Sequence, residues 1–302
     1  MVVWLAISSY RNDEKVLRIL EQVHEWPTAI FERILIVDSE GTGVIPSILK
    51  DRGWSHVIYR SYDWNLGSGA NLCKRLQIAA EGGADYAHAV NHDGHVDPIV
   101  VSCLLKAAGS IERLGAAYPL CYFARAGRYN VTGVRELSLR AKLVDVLPRG
   151  PLLDVFWSSS NGALYSTHPT KHGIVPWETM WMGWEDLEYG WRLTDHGYRQ
   201  VIVCDAVLRD DYEYARTWVG WVSDKPAWRS YYHIRNLILA IRHSRNRPFY
   251  YAIAACKLFV ECGLILLVRK NKWERLHLLF AGAADALRGT KGKKRSIGGR
   301  IL

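Results

Sequence analysis

The sequence predicts an α/β fold in which a mostly parallel sheet is flanked by helices and followed by a helical C-terminal region. Three observations carry this. Short apolar runs alternate with amphipathic stretches through the first half of the 302 residues, the pattern of parallel strands joined by crossover helices. Polar, glycine-bearing loops follow three of those runs, where ligands bind in open parallel sheets. From about Trp228 onward the pattern turns helical.

The elements follow in order. Residues 2–8 form an apolar strand and residues 13–23 a helix-like stretch. Residues 33–37 form a second strand, ending in the turn-rich Asp38-Ser39-Glu40-Gly41-Thr42-Gly43. A short helix over residues 44–50 leads to a strand at 56–60. The segment Asn65-Leu66-Gly67-Ser68-Gly69-Ala70-Asn71 opens a helix running to about Glu81, and backbone N–H groups at such an entry can face phosphate. It has neither the Walker ending nor the three-glycine dinucleotide spacing. A fourth strand at 86–90 runs into Asn91-His92-Asp93-Gly94-His95, and a helix over 98–114 begins with Pro98 at its favoured first position.

Residues 123–150 break the pattern, being basic and weakly periodic, and are expected to be an insertion or loop over the site. A strand at 154–157 leads into Ser158-Ser159-Ser160-Asn161-Gly162-Ala163. Glu185 and Asp186 open a helix closed by Gly197; acidic groups suit a helix N-terminus and glycine the left-handed position after its end. Residues 200–205 and 206–208 form strand segments ending at Arg209-Asp210-Asp211. The organisation expected is a domain over 1–225 and a helical region over 226–302 with a basic tail.

Composition bounds the function. Apolar residues make up 49% of the chain, which supports a large core. The net charge is +9, with Arg288, Lys291, Lys293, Lys294, Arg295 and Arg300 clustered near the end, a tail able to meet phosphates or anionic lipid. Charge alone does not make a nucleic-acid binder, and no recognition helix or RNP-like strand accompanies it. The six cysteines show no Cys-x-x-Cys or zinc spacing, and the apolar start lacks a basic leader, so a reducing, cytoplasmic location is expected. Residues 249–268 are apolar apart from Lys257 and Glu261. Two central charges oppose a span at roughly 2.5–3.5 kcal/mol each. An interfacial helix, or one buried against the N-terminal domain, fits better, and with the following Lys270, Lys272 and Arg275 it suggests contact with the inner face of the plasma membrane.

Taken together, Ile7-Ser8-Ser9-Tyr10, Ile36-Val37-Asp38-Ser39, Asn65-x-Gly67-x-Gly69-x-Asn71, Asn91-His92-Asp93, Asn161-Gly162-Ala163, Glu185-Asp186-Leu187-Glu188 with Arg192 and Gly197, and Tyr231-Tyr232-x-x-Arg235-Asn236 resemble the family 2 glycosyltransferases of the GT-A fold. Within them the rhamnosyltransferase-like and galactofuranosyltransferase-like members are the nearest in pattern, and the resemblance covers about residues 2–290. It implies a nucleotide-binding sheet, a nucleotide-sugar donor and a glycan or lipid-linked glycan acceptor. It implies donor contacts from Ser8, Asp38, Asn65, Gly67, Asn91 and Asp93. It further implies a divalent cation, Mg²⁺ or Mn²⁺, on Asp93 and Asp210, since a hard cation takes oxygen ligands. Asn91 stands where the family has an aspartate; it can bond a sugar hydroxyl but adds no charge. Asp210 matches a position where many members carry histidine, while His92 and His95 receive no role. Asp186 matches the general base of inverting transfer, with Glu185 orienting acceptor hydroxyls. The competing reading is a non-catalytic nucleotide-sugar or glycan-binding protein with a degenerate site, for which Asn91 is the best support and the retained Asp93, Glu185 and Asp186 the counterweight.

Overall fold

The computed structural model describes the chain except residues 138–141, 211–213, 218–219, 224–225, 245, 295, 298–299 and 302. The elements run β1 (Val3–Tyr10), α1 (Asp13–His24), β2 (Arg33–Ser39), α2 (Val44–Asp51), β3 (Val57–Tyr62), α3 (Gly67–Glu81), β4 (Tyr86–Asn91), α4 (Pro98–Ser110) and β5 (Leu114–Phe123). Then come β6 (Arg128–Asn130), β7 (Leu143–Val144), β8 (Leu152–Asp154), β9 (Ala163–Ser166), a short α5 (His168–Lys171), α6 (Glu185–Asp195) and β10 (Arg199–Asp210). Small hairpins, β11 (Tyr214–Thr217) with β12 (Gly220–Ser223) and β13 (Ser296–Ile297) with β14 (Arg300–Ile301), bracket the helices α7 (Trp228–Ile241), α8 (Arg247–Leu267) and α9 (Lys272–Arg288).

The main sheet has the order β3-β2-β1-β4-β9-β5-β10-β8. Strands β3, β2, β1 and β4 pair in parallel. β9 is antiparallel to both β4 and β5, and β5 is parallel to β10, so six of the strands run one way and their carboxyl ends share one edge. Along β1, Leu5 and Ile7 face one core layer and Trp4 and Ala6 the other, so both faces are covered and the strand sequence is almost wholly apolar.

The first four strands and three helices lie where the periodicity predicts. The helix expected over 98–114 stops at Ser110, because Ile111 is already extended and the apolar run from Leu114 is a central strand. Its start is as expected: the Asp97 side chain caps the Ile99 and Val100 N–H groups ahead of Pro98. In the basic stretch 123–150, β6 folds back on β5 and β7 pairs with β6, so part of it extends the sheet. The strand expected at 154–157 lies earlier, at Leu152–Asp154. The two segments expected at 200–208 are one strand with a bulge, its pairing slipping between Val203 and Val207.

Candidate active site

Three strand ends meet at the carboxyl edge. Ser8 and Asn91 are neighbours across β1 and β4, and the Ser8 hydroxyl donates to Asn91 Oδ1 at 3.1 Å. Asp38 is fully buried; Tyr59 donates its phenol to Oδ2 at 2.7 Å, while Oδ1 has no partner among the described residues. Burial, then the bond to Asp38, pushes the Tyr59 phenol well above its ordinary pKa, so it remains a donor. Beyond β4 the chain turns tightly, Gly94 N–H bonding to Asn91 carbonyl at 2.8 Å. A Cβ on Gly94 would lie 2.5 Å from Asn161 Oδ1, which explains glycine there. Asp93 sits exposed at the head of this turn.

The acidic pair reaches the same region from a strained loop. Trp181 and Trp184 both hold positive φ, at 54° and 68°, with Gly183 at 81° between them; such backbone in non-glycine residues persists only where surroundings enforce it. On one side the loop sits on the start of α3. The Ser68 hydroxyl and the Gly69 N–H each bond the Trp181 carbonyl at 3.3 Å. Trp181 returns its indole N–H to the Asn65 carbonyl at 3.3 Å. A Cβ on Gly67 would fall 2.1 Å from the Trp181 oxygen, so glycine lets the two backbones touch. On the other side Asn236 of α7, fully buried, directs its amide nitrogen at the carbonyls of Met180 (2.6 Å), Met182 (2.8 Å) and Gly183 (3.0 Å).

The N–H groups at this helix entry have partners within the chain. The Gly67 N–H is bonded by Asn65 Oδ1 at 2.8 Å and the Gly69 N–H by Trp181, so the entry to α3 is a seat for the acidic loop.

Glu185 is buried, and burial raises its pKa against the opposing influence of the Ser68 hydroxyl. Asp186 is half-buried with Oδ1 enclosed. Burial, then the charge of Glu185, pushes its carboxyl up to about 8, with the Ser160 hydroxyl and Arg75 acting in the opposite sense. The two acids titrate as a pair. Arg75, buried on α3, donates to the carbonyls of Ala6 at 2.8 Å and Val90 at 3.1 Å. It lays a fixed cation between the β1 and β4 ends and Asp186.

Ser160 and Asn161 are the hinge of the arrangement. Ser160 faces Asp186, and the next residue, Asn161, accepts the Asn91 N–H at 3.0 Å. The Asp93 turn and the Asp186 carboxylate therefore both adjoin the short segment Ser160–Asn161. Asp210 ends β10, backbone-paired with Phe123 at the carboxyl edge; Asp211 lies outside the described residues. No group of three His, Cys, Asp or Glu side chains fit for a metal gathers among the described residues. A hard cation often takes only one or two protein carboxylates and completes its shell with phosphate and water, and the exposed Asp93 carboxylate is chemically suited to that. Sequence reasoning missed Arg75, Ser68 and the role of Ser160. For Arg75 the only signal is its place one turn after Asn71, whose side chain also reaches strand backbone, at the Val37 carbonyl.

Sheet order, strand-end crevice and acidic helix start define a GT-A fold with a helical C-terminal region. In structure the chain is similar to S. aureus TarS 1-349, at 14% identity and a TM-score of 0.56, over 95% of this chain and 81% of that one. The same TarS fragment in complex with UDP-GlcNAc matches at 15% identity and a TM-score of 0.58, over 95% and 81%. The mannosyltransferase PcManGT from Pyrobaculum calidifontis, in complex with GDP-Man and Mn²⁺, matches at 14% identity and a TM-score of 0.55, over 94% and 86%. Identities this low establish a common fold. No protein-family model and no curated protein matches the sequence.

Proposed function

We propose that this chain is an inverting glycosyltransferase that moves a sugar from a nucleotide-sugar donor to a hydroxyl of a glycan or lipid-linked glycan. The observation that supports the reading is the Ser160–Asn161 link, with Asn161 bonded to the strand end before Asp93 and Ser160 acting on Asp186. The glycosyltransferase neighbours, two of them holding nucleotide sugars, support it. The catalytic portion is residues 1–225, with 226–302 as the helical region, and the site faces the cytoplasm. The rhamnosyltransferase-like or galactofuranosyltransferase-like type within family 2 rests on the sequence motifs.

In this mechanism the buried Asp38 oxygen, with Ser8 and Asn91, binds the nucleoside. Asp93, with Asp210 at the same edge, would hold Mg²⁺ or Mn²⁺; such an ion supplies neutralisation of the leaving diphosphate. Asp186 takes the proton of the acceptor hydroxyl as its oxygen bonds the anomeric carbon. The bond from that carbon to the diphosphate oxygen breaks on the opposite face, and configuration inverts. Glu185 stays protonated more readily than a surface glutamate and orients acceptor or base.

Calorimetry with UDP, dTDP and GDP, with and without Mn²⁺, tests the donor class. Transfer or donor hydrolysis by Asp186→Asn should fall about 100-fold or more; equal rates in the two proteins would remove Asp186 from the role. The alternative, a nucleotide-sugar-binding protein without chemistry, is favoured by one detail: Asn91 Oδ1 is engaged by Ser8. Tight nucleotide binding with no turnover in wild type would select it.

A further inference from the structure

The helix α8 is 21 residues long, with a mean hydropathy of 1.7 over its most apolar stretch. Little of it is buried: Tyr250, Ala254 and Ile265 are its inward anchors. Phe249, Ala252, Cys256, Phe259, Gly263 and Leu266 follow one another at intervals of three and four residues, so they line one face. That row carries no charge, and Phe259 is 77% exposed. It runs roughly 27 Å at the helical rise. An uncharged stripe of this length on a soluble surface marks a contact.

Beyond Arg247 at its first position, the two charges of this helix are turned off the stripe. Lys257 Nζ stands 5.3 Å from the Trp184 ring, and Glu261 lies 4.0 Å from Arg269. They therefore do not oppose burial of the outer face. Cations mark both ends of the stripe: exposed Arg247 at the start, exposed Lys270 and Lys272 just beyond the end, with Trp273 81% exposed beside them. Apolar centre, tryptophan and cationic margins together fit the boundary between acyl chains and anionic headgroups. A second copy of this chain would bring equal positive margins together.

We infer that the outer face of α8 lies in the plane of an anionic lipid surface, inserted to the depth of one helix face and not spanning it. The inner face is held to the protein through Tyr250, Ala254, Ile265 and the Lys257–Trp184 contact, which a spanning helix would have to break. Trp184 is the residue before Glu185. The lipid surface thus lies about one helix diameter, ~10–12 Å, from the acidic pair, where a lipid-linked acceptor presents its sugar. The choice of acceptor rests on the proposed function; the lipid contact does not.

The test is flotation of the full chain with phosphatidylcholine vesicles, with and without phosphatidylglycerol, alongside donor hydrolysis in vesicle-free buffer. Wild type should float with the anionic vesicles and be released by alkaline carbonate. The double variant Phe259→Glu, Leu266→Glu should lose about tenfold or more of bound protein, with hydrolysis and melting temperature unchanged. Wild type staying in the soluble fraction would overturn the inference, as would resistance to carbonate. So would a vesicle-free dimer that the same substitutions dissociate. Flotation without hydrolysis would instead count against the glycosyltransferase reading and leave the lipid contact standing.

Discussion

Asn161 accepts the backbone N–H of Asn91 through its side-chain oxygen at 3.0 Å, joining positions 70 residues apart in sequence. One residue earlier, Ser160 meets Asp186. A single dipeptide therefore adjoins both the turn that carries Asp93 and the carboxylate at the head of α6. The segment can do this because β9, which follows it, inserts antiparallel between β4 and β5.

Replacing Asn161 by alanine should uncouple the two. The Asn91 N–H would lose its partner, at about 1–3 kcal/mol, and melting should fall by ~2–4 °C per kcal/mol. Asn161→Asp keeps an acceptor and should retain most of the stability, but it adds a negative charge beside the Asp93 turn and should weaken nucleotide diphosphate binding. Calorimetry and thermal melts on the two variants separate fold from binding.

The raised pKa of Asp186 links activity and stability in opposite directions. In the proposed role of general base it must be ionised, so kcat/KM should rise with pH toward about 8. Removing the neighbouring charge with Glu185→Gln should move that limb to lower pH. For stability the sign reverses. The native carboxyl holds its proton where the unfolded chain has lost it, so stability falls as pH rises from the ordinary aspartate value, about 4, toward about 8. Asp186→Asn should therefore melt higher than wild type at pH 8, and the gap should narrow toward pH 5. A constant gap across that range would rule out titration of Asp186 as its origin.

Arg75 bonds the carbonyls of Ala6 and Val90 and moderates Asp186 from the same position. Burial pushes its own pKa down to about 10, which still leaves it charged near neutrality. Arg75→Met should lower the melting temperature and also move the ascending limb of the rate profile to higher pH, because Asp186 loses its compensating cation. A variant that only melts lower, with an unmoved profile, would confine Arg75 to strand-end packing.

The alternating half of the molecule was legible because covered strands and amphipathic helices write two different periods. β5 was not: Leu114-Gly115-Ala116-Ala117 follows an apolar helix with little turn chemistry between them, and a short apolar run suits either element. In the site, Asp38, Asn91, Asp93, Glu185 and Asp186 stood out as polar groups at strand ends or a helix start. Ser160 was hidden in a serine-rich loop that any turn could contain, and Arg75 in a helix position that ordinarily faces water. Asn65 and Gly67 looked like a phosphate cradle because a glycine-rich helix entry offers free N–H groups. The structure shows the Gly67 N–H taken by Asn65 Oδ1 and the Gly69 N–H by the Trp181 carbonyl seated on that entry.

That seating has a counterpart in Asn236, and the last prediction concerns it. One buried amide nitrogen faces three carbonyls, those of Met180, Met182 and Gly183, in a loop where Trp181 and Trp184 keep left-handed backbone. Without it the loop can relax toward ordinary φ values, and the start of α6 would shift with it. Asn236→Leu fills the space but leaves carbonyls unpaired, so it should cost about 1–3 kcal/mol. Asn236→Asp should be worse, since it turns a buried negative charge toward three carbonyl oxygens. Both should lower kcat more than they raise the donor KM, because the displaced group is the proposed base and not the proposed strand-end nucleotide site. A donor KM that rises while kcat holds would show that the loop supports the nucleotide instead.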